Sequence, residues 1–319
     1  MNIIKKGLGI LAGAIGVSFT LALALITMVA GTMYDRFVNS WLGRWLDSPF
    51  AYVSAFYHAT VYHVCYRLIL QMRVVITGQI PTRHSGKNVI FVPGIHPPLL
   101  LLIPYYYLVC RYITARLLVT MKDANSSWRH PFGILMGIPL KVMKCVIFLP
   151  RGRGAEALQA SMAELAAGIR AYANRQRALT LHVDMSRPTR EKIAVDRETF
   201  SRMLMEKYGI HYDLSWLNLT LFPRLHAFAT AVETLPDNAR VVFLFMGLDR
   251  PIWDDLEVGK LFGSTLRAKF VEEDIRDLKQ QESESRGDWE RRLTLFLLDH
   301  WCAFNKLQSK WQNVKPTTR

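Results

Sequence analysis

The chain has 319 residues, enough to bury a substantial core and to form one large domain with or without a membrane-anchoring segment. No self-similar period runs along it, which excludes a repeat array. Half of the residues are apolar and the formal net charge is +14, a combination typical of proteins that rest on an anionic surface. No nucleic-acid partner is predicted, because such a protein has no reason to begin with a long uncharged stretch.

The N-terminal region predicts a membrane anchor. Residues 7–33 carry no charge, and as a helix this segment would be about 40 Å long, more than the roughly 30 Å hydrocarbon core of a bilayer. A cleaved signal peptide is the main alternative, but its apolar region is usually only about 7 to 15 residues long. A retained anchor is therefore the preferred interpretation.

The charges around this segment indicate its topology. Lys5 and Lys6 precede it and favour a cytosolic N-terminus, yet the rest of the chain is also strongly basic. Residues 48–66 are uncharged and rich in aromatic side chains suited to a membrane interface. We expect a helical hairpin within residues 1–70 that spans the membrane or dips into it, with the following domain on the cytoplasmic face. A single span remains the alternative.

Residues 71–319 predict an α/β domain. Apolar, β-branched runs between turn residues favour strands, and apolar residues on one face of longer segments favour helices. A proline-rich apolar block at 99–109 is interpreted as a buried helix, because proline breaks a membrane-spanning helix. Strands alternating with helices favour a mixed, largely parallel sheet flanked by helices. The expected strands are 73–77, 88–93, 179–183, 217–222 and 240–246, and the expected helices are 99–109, 155–176 and a C-terminal helix at 289–311.

Common nucleotide, hydrolase and metal signatures are absent from the sequence. It contains no Walker phosphate loop, no Gly-x-Gly-x-x-Gly, no Gly-x-Ser-x-Gly and no His-Glu-x-x-His. The cysteines are scattered, with no Cys-x-x-Cys pair, and are interpreted as reduced, mostly buried thiols. No metal site is therefore predicted. The cysteines are Cys65, Cys110, Cys145 and Cys302.

Four short segments remain, and their order along the chain is informative. They read VIFVPGIHPPLLLL with His96, CVIFLPR ending at Arg151, LHVDMSRPTREK, and LTLFPRLHAFATAVETL. In this order they resemble the four blocks of the glycerolipid acyltransferases of the 1-acylglycerol-3-phosphate acyltransferase type. The resemblance covers about residues 73–235, and the apolar N-terminus agrees with it. The first block is degenerate, because Ile95 and Leu101 stand where the family has the Asn and Asp of Asn-His-x-x-x-x-Asp.

The resemblance implies a catalytic pair. An alcohol is a weak nucleophile until its proton is being removed, so acyl transfer to a hydroxyl needs a base, and His96 is the candidate. A carboxylate normally orients such an imidazole and stabilises its protonated form. Asp184 occupies the acidic position of the third block and is the expected carboxylate, with Asp123 as the alternative.

Basic residues of the second and third blocks are the expected phosphate ligands. Arg151 and Arg187 offer planar guanidinium groups that bind phosphate through paired hydrogen bonds, and Ser186 can donate another. Weaker candidates are Lys192, Arg153 and Arg224.

The implied activity is the transfer of an acyl chain from acyl-coenzyme A or acyl carrier protein to the hydroxyl of a lysophospholipid, lysophosphatidic acid first among them. The acyl donor enters as a substrate, no cofactor is expected to stay bound, and membrane phospholipids are the expected partners. A catalytically inactive relative that binds phospholipid or a protein partner is the alternative, motivated by Leu101. A third hypothesis is a basic membrane scaffold without a lipid pocket.

Overall fold

The computed structural model describes residues 55–81, 89–122, 146–150, 154–173, 177–183, 188–250 and 258–312, with isolated positions 7, 11, 15, 16, 18, 22 and 52. These residues form a seven-stranded sheet in the order β1-β7-β6-β2-β5-β3-β4. The strands are β1 Arg73–Thr77, β2 Ile90–Gly94, β3 Leu117–Lys122, β4 Val146–Leu149, β5 Ala178–His182, β6 Arg240–Leu248 and β7 Thr265–Asp274.

The sheet is mixed and largely parallel, which confirms the predicted fold class. β6, β2, β5, β3 and β4 run parallel to one another. β7 is antiparallel to β6, and the edge strand β1 is parallel to β7. The carboxyl ends of β2, β4, β5 and β6 therefore meet at one edge of the sheet, where ligands of α/β proteins commonly bind.

Helices cover both faces of the sheet, which explains why β2 and β5 are buried along their whole length. One face packs against α2, α4 and α6, and the other packs against α1 and a π-helical segment at Tyr62–Ile69. The helices are α1 Leu102–Tyr112, α2 Ala155–Tyr172, α3 Arg190–Tyr208, α4 Leu225–Thr234, α5 Ile275–Leu278 and α6 Arg286–Trp311, with 3₁₀ turns at Leu99–Leu101 and Val258–Leu261.

Local sequence signals fix the ends of the longer helices. Thr189 caps α3 by accepting the Lys192 backbone N–H, and Gly209 ends that helix in the left-handed region at a φ of 62°. Ser285 caps α6 by accepting the Asp288 backbone N–H at 3.1 Å. The predicted helices at 99–109, 155–176 and 289–311 are thus present, each with slightly different ends.

The predicted strand at 217–222 is wrong. This segment is irregular, because its backbone N–H groups bond to side chains and to a nearby turn instead of to a neighbouring strand. The Oδ1 atom of Asn305 accepts the N–H groups of Asn218 at 3.4 Å and Leu219 at 3.1 Å. The Nδ2 atom of Asn305 donates to Thr220 Oγ1 at 2.8 Å. An amide buried in α6 therefore replaces the ladder that the apolar pattern predicted.

The predicted anchor lies mostly outside the described residues. Of its second half, residues 55–69 are helical, and several of their aromatic side chains pack into the protein core instead of facing a membrane interface, among them Tyr57, Tyr62 and Tyr66. Phe56 and Leu68 point outward and are 70% and 72% exposed. Within the described part of the chain, no helix has both the length and the apolar composition needed to cross a bilayer. The division at residue 70 stays a prediction.

Candidate active site

His96 lies at the carboxyl edge of the sheet, two residues beyond the end of β2. Its side chain is half-buried, and the ring Nδ1 lies 2.9 Å from the backbone carbonyl oxygen of Pro97. A carbonyl oxygen can only accept a hydrogen bond, so Nδ1 is the donor in this contact, and in the neutral ring the lone pair is then on Nε2. The Pro97 backbone thus selects the tautomer that a general base requires.

A pocket with a cavity volume of about 50 Å³, partly open to solvent, lies beside His96. β6 forms one wall because it pairs with β2 only as far as Leu244, opposite Gly94, and then continues for four residues to Leu248. Another wall is formed by Phe304 and Gln308 of α6 and by Gln312, the residue that caps the C-terminus of α6. The loop held by Asn305 contributes Leu219 and Thr220, and the remaining lining comes from Pro188, Arg250 and the His96 segment.

Gly94 allows close packing directly under the site. A Cβ atom added at Gly94 would lie 2.9 Å from the Tyr105 hydroxyl oxygen and 3.2 Å from the Leu244 carbonyl oxygen. Both approaches are closer than ordinary van der Waals contact, and the second involves backbone that cannot move aside. Glycine at this position therefore lets Tyr105, which is fully buried in α1, pack beneath the strand that carries His96.

A second histidine, His182, contacts His96. It is the last residue of β5 and lies opposite Gly94 in the β2–β5 pairing. The two imidazole centroids are 4.9 Å apart, and the Tyr105 ring lies 5.1 Å from His182 on its other side. The His182 side chain is 9% exposed, and neither ring nitrogen makes a hydrogen bond of ordinary geometry within the described residues.

His182 is held in its neutral form. Burial lowers its pKa well below the usual value for histidine, the neighbouring His96 lowers it further, and the Ile95 backbone opposes the shift only in part. His96 therefore lies beside an uncharged ring and not beside a second cation. Sequence analysis did not identify His182, although its place in LHVD, two residues before Asp184 at a strand end, was a usable signal.

This shift predicts that stability depends on pH. With a folded pKa below the unfolded value of about 6.5, His182 stays neutral while the unfolded chain takes up a proton. Above about pH 6.5 the titration of His182 does not lower the free energy of unfolding. Below that pH, it lowers the free energy of unfolding by at most about 1.4 kcal/mol per pH unit. Burial shifts the pKa of His226 in the same direction and adds to this slope.

The variant His182→Phe keeps a ring between His96 and Tyr105 but cannot bind the proton. Urea unfolding between about pH 5 and pH 7.5 should therefore show a shallower loss of stability for the variant than for the wild type. Parallel slopes for the two proteins would contradict the assignment of a neutral buried His182.

Leu101 closes the floor of the pocket. It is 3% exposed, belongs to the core under α1 and lines the space beside His96. A packed apolar side chain thus occupies the fifth position after His96. Any carboxylate that approaches His96 must come from another part of the chain.

The other predicted site residues lie outside the described residues. They are Asp184, Arg151, Ser186 and Arg187, together with the alternatives Asp123 and Arg153. The strands that precede them are described: β5 ends two residues before Asp184, and β4 ends two residues before Arg151. Both strands end at the same edge of the sheet as β2, and β5 is the direct neighbour of β2. Their roles stay predictions.

Arg224 makes structural contacts. Its Nη2 lies 3.1 Å from Asp196 Oδ1, and its guanidinium carbon lies 4.1 Å from the centre of the Phe200 ring. Its backbone N–H donates to the Val183 carbonyl oxygen at 2.9 Å, which joins the fourth block to the end of β5. Lys192 lies exposed in the first turn of α3. The guanidinium that does line the pocket is Arg250, which follows β6 and was not predicted.

The fold and site together define an α/β domain with a histidine-lined pocket at the carboxyl edge of a largely parallel sheet. No protein-family model and no curated protein matches the chain. The crystal structure of the 1-acyl-sn-glycerophosphate (LPA) acyltransferase PlsC from Thermotoga maritima aligns with it at a TM-score of 0.43 and 13% sequence identity. That alignment covers 94% of this chain and 99% of the other.

Proposed function

We propose that this protein is a membrane-associated acyltransferase. It moves an acyl chain from acyl-coenzyme A or acyl carrier protein to the hydroxyl of a lysophospholipid, with lysophosphatidic acid as the first candidate. The observation that carries the proposal is His96: an imidazole beside a pocket at the carboxyl edge of the sheet, with the Pro97 carbonyl selecting the tautomer of a base.

The chemistry follows from that tautomer. Nε2 of His96 removes the proton of the lysophospholipid hydroxyl as its oxygen attacks the thioester carbonyl carbon. The tetrahedral intermediate then expels the thiolate, which takes the proton back from the imidazolium. The new ester bond forms, the carbon–sulfur bond breaks, and His96 returns to its starting state.

The Pro97 carbonyl fulfils only part of the role that a motif carboxylate would have. It orients the ring and fixes the tautomer, but it carries no full negative charge to stabilise the imidazolium. Because His182 is neutral, it places no second positive charge beside the His96 imidazolium. Asp184, which follows Val183 in sequence, remains the proposed carboxylate, and Arg151, Arg187 and Ser186 remain the proposed phosphate ligands.

The net charge of the chain and its exposed apolar side chains favour binding to a membrane. The net charge of +14 favours binding to anionic lipid, and Phe56 and Leu68 extend from the helical segment that precedes β1. We propose that residues 1–70 hold the domain at the cytoplasmic face of a membrane.

The direct test is turnover by the full chain in lipid vesicles. Supplied with lysophosphatidic acid and either acyl-coenzyme A or acyl carrier protein, it is expected to form phosphatidic acid and release free thiol in equal amounts. Thiol release without phosphatidic acid would indicate a thioesterase. Folded protein that turns over none of several acyl donors would refute the proposal.

Leu101 favours one other candidate function. Because an apolar side chain is packed where the family has its carboxylate, the chain is alternatively an inactive relative that binds phospholipid or a protein partner. In that case vesicle binding persists without turnover and is unchanged by His96→Ala.

A further inference from the structure

Different strands of the sheet flank His96 on its two sides. β6 lies on one side of β2, whereas β5 lies on the other side and β4 farther out beyond it. The proposed phosphate ligands follow β4 and β5, while the described pocket is walled by the end of β6 and by α6. A general base that acts between an acyl donor and an acyl acceptor needs space for one of these substrates on each of its sides. The β6 side is therefore available to the acyl donor.

Two glutamines at the C-terminal end of α6 line the β6 side of the pocket. Gln308 and Gln312 are one helical turn apart and so lie on the same face of the helix. The Oε1 atom of each is buried, and neither accepts a hydrogen bond from any residue that the structure describes. A buried amide oxygen without a donor is unfavourable. A ligand that offers N–H or O–H groups would satisfy both.

The strand opposite leaves room for these side chains. A Cβ atom at Gly247 of β6 would lie 3.0 Å from the Gln308 Cγ and 3.1 Å from its Nε2. A larger residue at this position would push Gln308 away from the pocket wall. Glycine thus lets an amide side chain lie across the end of a buried strand.

The electrostatics of this wall do not favour a phosphate. Arg250 also lines the pocket, but its Nε donates to Asp249 Oδ1 at 3.2 Å. Asp249 is itself fixed by the backbone N–H of Thr265 at 3.1 Å. Phosphate oxygens at neutral pH mainly accept hydrogen bonds, whereas the two Oε1 atoms need donors. Apart from His96 and Thr220, the other side chains that line the pocket are apolar, among them Leu101 and Phe304.

We propose that the pantetheine arm of the acyl donor binds along this wall, with its amide groups hydrogen-bonded to Gln308 and Gln312 and its thioester directed toward His96. The arm is uncharged, and its amides supply N–H donors on an otherwise aliphatic chain. Coenzyme A and acyl carrier protein share this arm, so both are recognised by the same contacts. This inference rests on the proposed acyl transfer and names the donor side of that site.

The test measures donor binding separately from turnover. In the full chain carrying His96→Ala, calorimetry gives the dissociation constants of coenzyme A and of a carrier protein that bears phosphopantetheine. Adding Gln308→Leu and Gln312→Leu together is expected to raise both constants by about tenfold. Gly247→Ala, which displaces Gln308, should raise both by a smaller factor. Gln281→Leu, an exposed position after α5, is the matched control and should change neither.

The outcomes separate the two proposals. Unchanged binding of both probes in folded variants would overturn the pantetheine site. Weaker binding of coenzyme A alone would assign the contacts to its nucleotide and also overturn it. If the same substitutions in the wild-type background raised the KM for lysophosphatidic acid while donor binding stayed unchanged, this wall would belong to the acyl acceptor, a third contrary result. If donor binding weakens as expected while the wild type shows no turnover, the site stands and the proposed catalysis fails.

Discussion

Replacing His96 with alanine is expected to lower phosphatidic acid formation by about 10²- to 10⁴-fold, the usual contribution of a positioned general base. The protein should stay folded, because His96 is half-buried in a turn stiffened by Pro97 and Pro98 and is not part of the main core. The loss should appear in kcat, with a much smaller change in KM, because the hydroxyl proton is removed only as the reaction proceeds.

The matched control for this variant is His211→Ala, which removes an exposed histidine from the loop after α3. It should keep wild-type turnover. Circular dichroism and urea unfolding check that both variants are folded. Full turnover by a folded His96→Ala protein would exclude His96 as the base, whatever the wild type catalyses.

Replacing Asp196 with alanine is expected to lower the free energy of unfolding by about 3 kcal/mol. The buried carboxylate of Asp196 accepts the Phe222 backbone N–H at 3.0 Å and the Arg224 guanidinium at 3.1 Å. Without it, a backbone donor and a partly buried cation lose their partners. Since the Arg224 backbone bonds to Val183 at the end of β5, activity should fall together with stability.

Two comparisons make the Asp196 prediction specific. Asp196→Asn keeps an oxygen for the Phe222 N–H and loses only the ion pair, so its cost should be about half as large. Asp237→Ala removes the carboxylate from an exposed pair with Lys279 and should cost under about 1 kcal/mol. Equal costs for Asp196→Ala and Asp237→Ala in urea unfolding would contradict the structural role given to Asp196.

Individual elements show why sequence analysis succeeded for some strands and failed for others. β2, β5 and β6 lie in the middle of the sheet, are buried on both faces and are mainly apolar, so local composition is enough to predict them. β7 alternates buried and partly exposed residues, with Leu266, Ala268 and Phe270 inside, and this half-buried pattern was overlooked. The apolar run at 217–222 has the local pattern of a strand, but its hydrogen-bonding partner, Asn305, lies far along the chain.

The candidate site divides in the same way. The four ordered blocks pointed to His96, and its place after a strand followed from the local pattern. The local pattern does not predict the neighbours of His96. His182 contacts His96 because β5 pairs with β2. Gln308 and Gln312 reach the pocket because α6 packs beside the end of β6. Such pairings depend on the order of strands in the sheet, which no local pattern encodes.

The sequence by itself determined the α/β class, most of the described strands, three of the six described α-helices and one candidate base, because periodicity and turn residues act over a few positions. The tertiary structure decided what surrounds that base. The neutral His182 lies on one side, and two glutamine side chains lie on the other. The loop that contains Thr220 is held there by Asn305, 85 residues farther along the chain. The physical reason is that burial and hydrogen bonding, which set the protonation and the unpaired acceptors of a site, exist only once distant segments pack together.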